Sequence, residues 1–272
     1  MNTHTPLTDN HALRQHRARA ATHSLFLQES AADEVQDRLG MVNRAFNSIA
    51  IVTPFADLWR TRLPEAAIIA EGDTLDIPLG AHDLVIHATS LHWANDPVGQ
   101  LIQCRRGLQP DGLFIGATLG GQTLQELRSA IAEAEVALTG GLSPRVAPMG
   151  EIRDLGALLQ RAGFALPVAD SLPLTVEYRD CMHLMHDLRQ MGETNALTLR
   201  QRKIAPRQLF DKTADLYRTH FPIGDNRVAA TYELVFLTGW APADSQPKAL
   251  RPGSAKQRLA DALKVPETPL RD

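Results

Sequence analysis

Apolar runs and amphipathic stretches alternate along the chain. Ser48-Ile49-Ala50-Ile51-Val52-Thr53-Pro54 is a short β-rich run stopped by a proline and reads as a buried strand. Residues 55–63 then read as a short helix, and 66–70 as a second buried strand ending at Glu71-Gly72-Asp73. A third strand is expected over 83–90, a helix over 96–108, a turn at Gln109-Pro110-Asp111-Gly112 and a fourth strand over 113–119. A helix over 123–138 stops at Gly140-Gly141, and another over 151–162 is closed by Gly163. Strand patterns follow at 164–169, 172–178 and 232–238. Between the last two lie helical patterns at 181–190 and 207–219, joined by Met191-Gly192-Glu193-Thr194-Asn195. Upstream, residues 1–10 are polar and expected to be loose. Residues 13–44 have helical periodicity with no proline or glycine before Gly40, and Leu25, Phe26, Leu27, Val35, Leu39 and Val42 could dock that helix.

Strand and helix alternating over short turns is the pattern of an α/β fold with a parallel sheet and right-handed crossovers. The block between Tyr178 and Arg227 interrupts this rhythm, so it is expected outside the sheet as a helical lid over 179–227. The expected organisation is an N-terminal helical segment over 1–46, a sheet domain over 47–240 and an extended tail over 241–272, with a short helix near 254–264. At about 150 residues per domain, 272 residues suit one large domain with an insertion.

Composition narrows the function classes. With 44% hydrophobic and 22% charged residues the chain is a packed globule, and 5% aromatics leave its core to Leu, Ile, Val and Ala. Twenty-eight Lys+Arg against 31 Asp+Glu give a net charge of −3, with no basic field for nucleic acid. Cys104 and Cys181 make neither a disulfide framework nor a four-ligand zinc site. No run approaches the ~18 apolar residues of a membrane span, and the start lacks the apolar block of a secretion signal. Arg14, Arg17 and Arg19 among Ala, Thr and His leave an organelle-targeting helix open, so the expected location is bacterial cytoplasm with the mitochondrial matrix as alternative.

A set of motifs carries a resemblance. They are Asp83-Leu84-Val85, Ser90-Leu91-His92-Trp93-Ala94-Asn95-Asp96-Pro97, Leu108-Gln109-Pro110-Asp111-Gly112, and Gly120-Gly121 with Thr123-Leu124 and Glu126-Leu127-Arg128. Downstream come Asp154-Leu155-Gly156 with Leu158-Leu159, Arg161-Ala162-Gly163-Phe164, Asp187-Leu188 with Met191-Gly192-Glu193-Thr194-Asn195, and Thr238-Gly239-Trp240, and Arg251-Pro252-Gly253-Ser254-Ala255-Lys256 in the tail fits too. On these residues the chain resembles the class I S-adenosylmethionine-dependent methyltransferases, within them the mitochondrial complex I assembly factor 5 group and its bacterial relatives. The Leu-His-Trp signature is shared with the biotin-pathway carrier-protein methyltransferases, and the Met-Gly-Glu-Thr-Asn turn points to the assembly-factor group. The resemblance implies a Rossmann-like, mostly parallel sheet of seven strands, its last hairpin antiparallel, with a helical insertion before the final strand. It further implies S-adenosylmethionine lying across the carboxyl ends of the strands.

The cofactor half departs from that pattern. The first strand should end in a glycine-rich turn, because the backbone must pass close to the cofactor. Ala50-Ile51-Val52-Thr53-Pro54-Phe55-Ala56-Asp57 holds no glycine, and Pro54 removes a donor. Spacing from Pro54 nominates Glu71 as the ribose carboxylate. Counting back from Asp83-Leu84-Val85 instead places Glu71 where the family's acidic residue faces the adenine amino group. That longer-anchored count implies that a strand-helix unit is missing and that the ribose carboxylate has no equivalent.

The cofactor-site candidates are Thr53, Glu71, Gly72, Asp73, Ser90, His92 and Trp93. Glu71 and Asp73 read either as adenosine ligands or as solvated carboxylates in a turn, and His92-Trp93 as a wall of the cofactor and acceptor cleft or as a packing pair. His87 reads as a hydrogen-bonded core histidine. His183 and His186 share a helix face near Asp187, which superficially supplies a 2-His-1-carboxylate site, although Asp187 lies about 100° round from His186 and no metal is expected. Arg200, Arg202, Lys203 and Arg207 form a basic run that reads as a solvated face or a contact for an acidic partner.

Three functions compete. One is a methyltransferase acting on a protein or small acceptor under the lid, with donor binding weakened or lost. Another is a non-catalytic platform for assembling a respiratory complex, and the third is a hydroxylase-like role of the kind attributed to the assembly-factor group. No catalytic residue is nominated, because in-line methyl transfer needs positioning more than a nucleophile.

Overall fold

A computed structural model describes residues 5–247 together with Asp261 and Lys264. The chain divides into two units, Met1–Pro242 and Ala243–Asp272. In the second, Ala243 and Gln246 close a turn on each other. The 254–264 helix and the Arg251–Lys256 motif lie otherwise outside the described residues.

The first unit is built on one sheet of β1 (Ile49–Val52), β2 (Ala67–Ile69), β3 (His82–Ala88), β4 (Leu108–Leu119), β5 (Ala165–Tyr178), β6 (Pro222–Ile223) and β7 (Arg227–Trp240). The order is β2-β1-β3-β4-β7-β5, with β6 added on β7. The pairings β1/β2, β1/β3 and β3/β4 are parallel, whereas β7 runs antiparallel to β4, β5 and β6. The expected Rossmann-like sheet is therefore present. Its seventh strand, however, is the two-residue β6 and not a strand beyond β2. β2 pairs directly with β1, so only two strands lie on that side of β3. The expected turn at 109–112 is looped out of β4 without ending it: the β3 register moves from Leu108 opposite His82 to Leu113 opposite Leu84. Likewise the two short strand patterns at 164–178 are one bulged strand.

The parallel strands read as unbroken apolar runs because both faces are covered. Ala50 and Val52 of β1 face a core with Leu101 and Cys104 of α4 (Pro97–Gly107) and Leu155 and Leu159 of α6 (Ile152–Arg161). Ile51 faces Ala31, Ala32 and Val35 of α2 (Phe26–Met41) and Trp59 of α3 (Ala56–Arg62). Asp96 caps α4, accepting from Gly99 N at 2.8 Å, and Gly140 ends α5 (Gln125–Thr139) in a left-handed turn. The insertion folds as α7 (Cys181–Gln190) and α8 (Arg207–His220), with Leu209 of α8 buried on Ile131 and Ala134 of α5.

The single helix expected over 13–44 is two. α1 (Asn10–Arg17) ends before Ala18, a 3₁₀ turn follows at Thr22–Ser24, and α2 starts at Phe26. Local propensity would carry the helix through Ala20-Ala21, but Ala21 N–H donates to Gln190 O at 2.8 Å, so a tertiary contact overrides it. Residues 5–9 are not loose either. Thr8 is buried and bridges Leu197, and Asp9 N and Thr198 N donate to Ala196 O and Leu7 O.

Candidate functional site

The carboxyl ends of β1, β2 and β3 converge on a polar cluster. β3 is followed by Thr89, a β-branched residue with φ of 49°, a left-handed conformation that costs on the order of 1–3 kcal/mol and persists only where its surroundings hold it. It turns Ser90-Leu91-His92-Trp93 back over the strand ends as a 3₁₀ turn. There His92 Nε2 and Trp93 Nε1 donate to the same oxygen, Glu193 Oε2, at 3.2 and 2.6 Å. On its other side Glu193 faces Arg17, whose Nη2 lies 3.4 Å from Oε1 and 3.4 Å from Thr89 O, while Nη1 pairs with Glu71. Arg17 and Glu193 have 3% and 5% of their side chains exposed, so this ion pair is dry.

Electrostatics follows from that burial. Desolvation would raise the Glu193 carboxyl, but the Arg17 charge and the His92 and Trp93 hydrogen bonds outweigh it and hold it at about 2. An ionised carboxylate only accepts, so His92 Nε2 is the donor in this bond. Its Nδ1 is buried without a partner, as is Ser90 Oγ.

His87 is the expected core histidine. Burial pushes it down to about 4, and its Nε2 donates to Gln100 Oε1 at 2.8 Å. Gln100 in turn donates to Gly72 O at 2.8 Å, so His87 fixes the 71–73 turn from within the sheet.

Five of the seven sequence candidates, Glu71, Gly72, Asp73, Ser90 and Trp93, line one cleft, and His92 stands beside it through Glu193. The two carboxylates among them already have partners within the chain. Glu71 holds Arg17, and Asp73 accepts from Asn10 Nδ2 at 3.1 Å. Thr53 is not in the cleft lining. Its N–H donates to Ile69 O and its Oγ1 accepts Phe55 N–H at 3.1 Å. Pro54 has no N–H, so residues 53–55 present no free backbone donor.

Arg17 and Glu193 were not among the sequence candidates as site residues. The Met191–Asn195 motif was the available signal, and the structure gives its Gly192, Glu193 and Asn195 positions defined roles. Gly192, at φ of 78°, would put a Cβ 3.0 Å from Arg17 Cα, so only glycine admits α1 this close. Thr194 O accepts from His16 Nδ1 at 3.2 Å, and Asn195 accepts Leu197 N–H and donates to Pro144 O.

A second space opens behind Trp93, a cavity of about 380 Å³ between β4, α5 and α7. Leu127, Ile131, Met149, Met185 and Leu188 supply apolar walls, and Arg145, Arg189, Glu193 and Asn195 supply polar ones. That volume and character are those of a small-ligand or side-chain pocket. Tyr232 also lines it, tied through Tyr178 Oη at 3.0 Å to Asp187 at 2.8 Å.

The histidines of α7 do not converge. His183 stacks edge-on against Tyr178, His186 pairs with Gln190, and Asp187 accepts from Tyr178. Among the described residues no group of three or more His, Cys, Asp or Glu is placed to hold a metal ion. Of the basic run, Arg200 and Arg202 pair with Asp9. Among the described residues no helix is long and apolar enough to cross a membrane.

Residues 35–116 match the family model described as a methyltransferase domain. The chain is 34% identical over 239 residues, 88% of its length, to the zebrafish (Danio rerio) protein named "Arginine-hydroxylase NDUFAF5, mitochondrial", and covers 72% of that relative. The chain belongs to the NDUFAF5 family. Against the human NDUFAF5 protein identity is 37%, over 75% of the chain and 59% of the relative. The family borders on methyltransferases: a malonyl-[acyl-carrier protein] O-methyltransferase of Laribacter hongkongensis is 35% identical over 65% of the chain and 57% of its own length. Among solved structures, the YcgJ protein of Bacillus subtilis superposes with a TM-score of 0.47 at 11% identity, covering 82% of this chain and all of that one.

Proposed function

We propose that this NDUFAF5-family chain works as a partner-binding platform, taking a protein or small acceptor into the cavity under its lid while holding S-adenosylmethionine weakly or not at all. A respiratory-complex subunit is the partner class that the resemblance to the assembly-factor group implies. The observation carrying this reading is Arg17, which stands across the strand ends between Glu71 and Glu193, where a donor would lie. The cleft beside it, walled by Asn10, Leu13 and Arg14 of α1, has about 20 Å³. That is room for about one water. A nucleoside does not fit there, and residues 53–55 offer no free amide to replace the missing glycines.

Calorimetric titration with S-adenosylmethionine and S-adenosylhomocysteine tests the reading. No heat of binding is expected, and a dissociation constant in the low micromolar range overturns it. A second reading, action on an arginine as the zebrafish relative's name states for that protein, is favoured by the site's holding a guanidinium between two carboxylates. Addition of one oxygen atom to a partner arginine, seen by mass spectrometry after incubation with the chain, dioxygen and a two-electron reductant that carries the second oxygen atom to water, decides for it.

A further inference from the structure

The N-terminal segment is seated differently from the rest of the molecule. Of α1 only Ala12, Leu13 and Arg17 are buried, and Leu13 belongs to a small cluster with Trp93, Ala147, Ala196 and Leu197, apart from both faces of the sheet. The remaining attachments are polar. Thr8 exchanges hydrogen bonds with Asn95, Asp9 pairs with Arg200, Asn10 donates to Asp73, and His16 donates to Thr194 O. Water can replace each of these on release at little net cost, whereas apolar packing cannot be replaced so. The buried charged anchor is Arg17, whose guanidinium pairs with the carboxylates of both Glu71 and Glu193. Gly192 leaves the space that the Arg17 backbone and stem occupy. Beneath the segment Ser90 Oγ is buried without a hydrogen-bond partner.

We propose that residues 5–24 form a removable plug over the strand-end cleft, pinned by Arg17 between Glu71 and Glu193, and that losing the pin releases the plug as a unit while sheet and lid stay folded. The inference rests on the preceding reading only in taking this cleft as the place where the fold family holds its donor. It is tested without any donor, so the two can fail separately. Released, the segment uncovers Glu71, Gly72, Asp73 and Ser90. The closed form is the one in which that cleft admits nothing larger than water.

The experiment uses the full chain carrying Ser90→Cys, with the native thiols as internal controls. Cys104 is buried in the sheet core and Cys181 among the lid residues. Labelling of each thiol by a maleimide is followed by mass spectrometry with Arg17 present, with Arg17→Met, which keeps the apolar stem and drops the charge, and with Arg17→Lys, which keeps the charge. Arg17→Met is expected to raise the labelling rate at position 90 at least tenfold with Cys104 and Cys181 unchanged, and Arg17→Lys is expected to fall between. An unchanged rate at position 90 overturns the proposal. So does a rise shared by Cys104 or Cys181, which would report general loosening instead of a plug leaving.

Discussion

Glu193→Gln removes the charge at the centre of the cluster while keeping its size. The carboxyl sits at about 2 against an ordinary 4.5. At about 1.4 kcal/mol per unit this corresponds to stability on the order of 3 kcal/mol at neutral pH. Its side chain is 5% exposed, so solvent screening removes little of that. Because the folded-state value is depressed, the contribution is present above about pH 4.5 and fades as pH falls toward 2. The glutamine has no such dependence. Urea unfolding of both proteins at pH 7, 4.5 and 3 measures it. The difference is expected at roughly 3 kcal/mol at pH 7, hardly smaller at pH 4.5 and reduced to about half at pH 3. At neutral pH it corresponds to a fall in Tm of roughly 6–12 °C for a unit of this size. A difference below about 1 kcal/mol at pH 7, or one that stays level down to pH 3, refutes the claim that this carboxylate is buried, ionised and held by Arg17.

Gly192→Ala forces a Cβ against Arg17 at a positive φ and is expected to cost more than about 1 kcal/mol in urea unfolding, whereas Gly40→Ala, with nothing near its Cβ, is expected to leave stability unchanged or raise it. Trp93→Phe deletes the 2.6 Å bond to Glu193 and leaves the carboxylate one donor short, so a loss of about 1–3 kcal/mol is expected by the same measurement. Leu159→Ala opens a hole in the core between α6 and the sheet, with an expected loss of about 2–5 kcal/mol in thermal unfolding. Met185→Trp puts a larger ring into the 380 Å³ cavity. If that cavity receives the acceptor, capture of the partner by the variant is expected to fall at least tenfold while Tm moves little.

The sheet was legible because its information is local. Ile49–Val52, His82–Ala88 and Leu113–Leu119 are apolar runs that fit buried strands, and Gly140 and Gly163 punctuate helices where a positive φ is required. The site was legible only as motifs. Leu-His-Trp and Met-Gly-Glu-Thr-Asn stood out separately, but nothing local says that His92 and Trp93 share one oxygen of Glu193 about a hundred residues away. Arg17 was harder still, because one arginine in an alanine-rich stretch looks like any solvated charge. Its role depends on Glu71, Thr89 and Glu193 being delivered by three other elements. The break before α2 was hidden for the same reason: Ala18 to Ala21 favours helix, and only Gln190 O, reached through the fold, takes the Ala21 amide away.

The placement of β7 governs the order in which the molecule can be made. It lies between β4 and β5, so the sheet's middle is completed by the last of its own strands to be synthesised, with Leu119 meeting Leu234. Until residue 240 has been made, β4 presents a long apolar edge with nothing to pair with, and the closing of that gap waits on both α7 and α8. A chain stopped anywhere between Tyr178 and Arg227 would thus hold every residue of the parallel half and still expose its stickiest strand. Chain termination inside the lid should therefore yield aggregates and not a smaller folded domain.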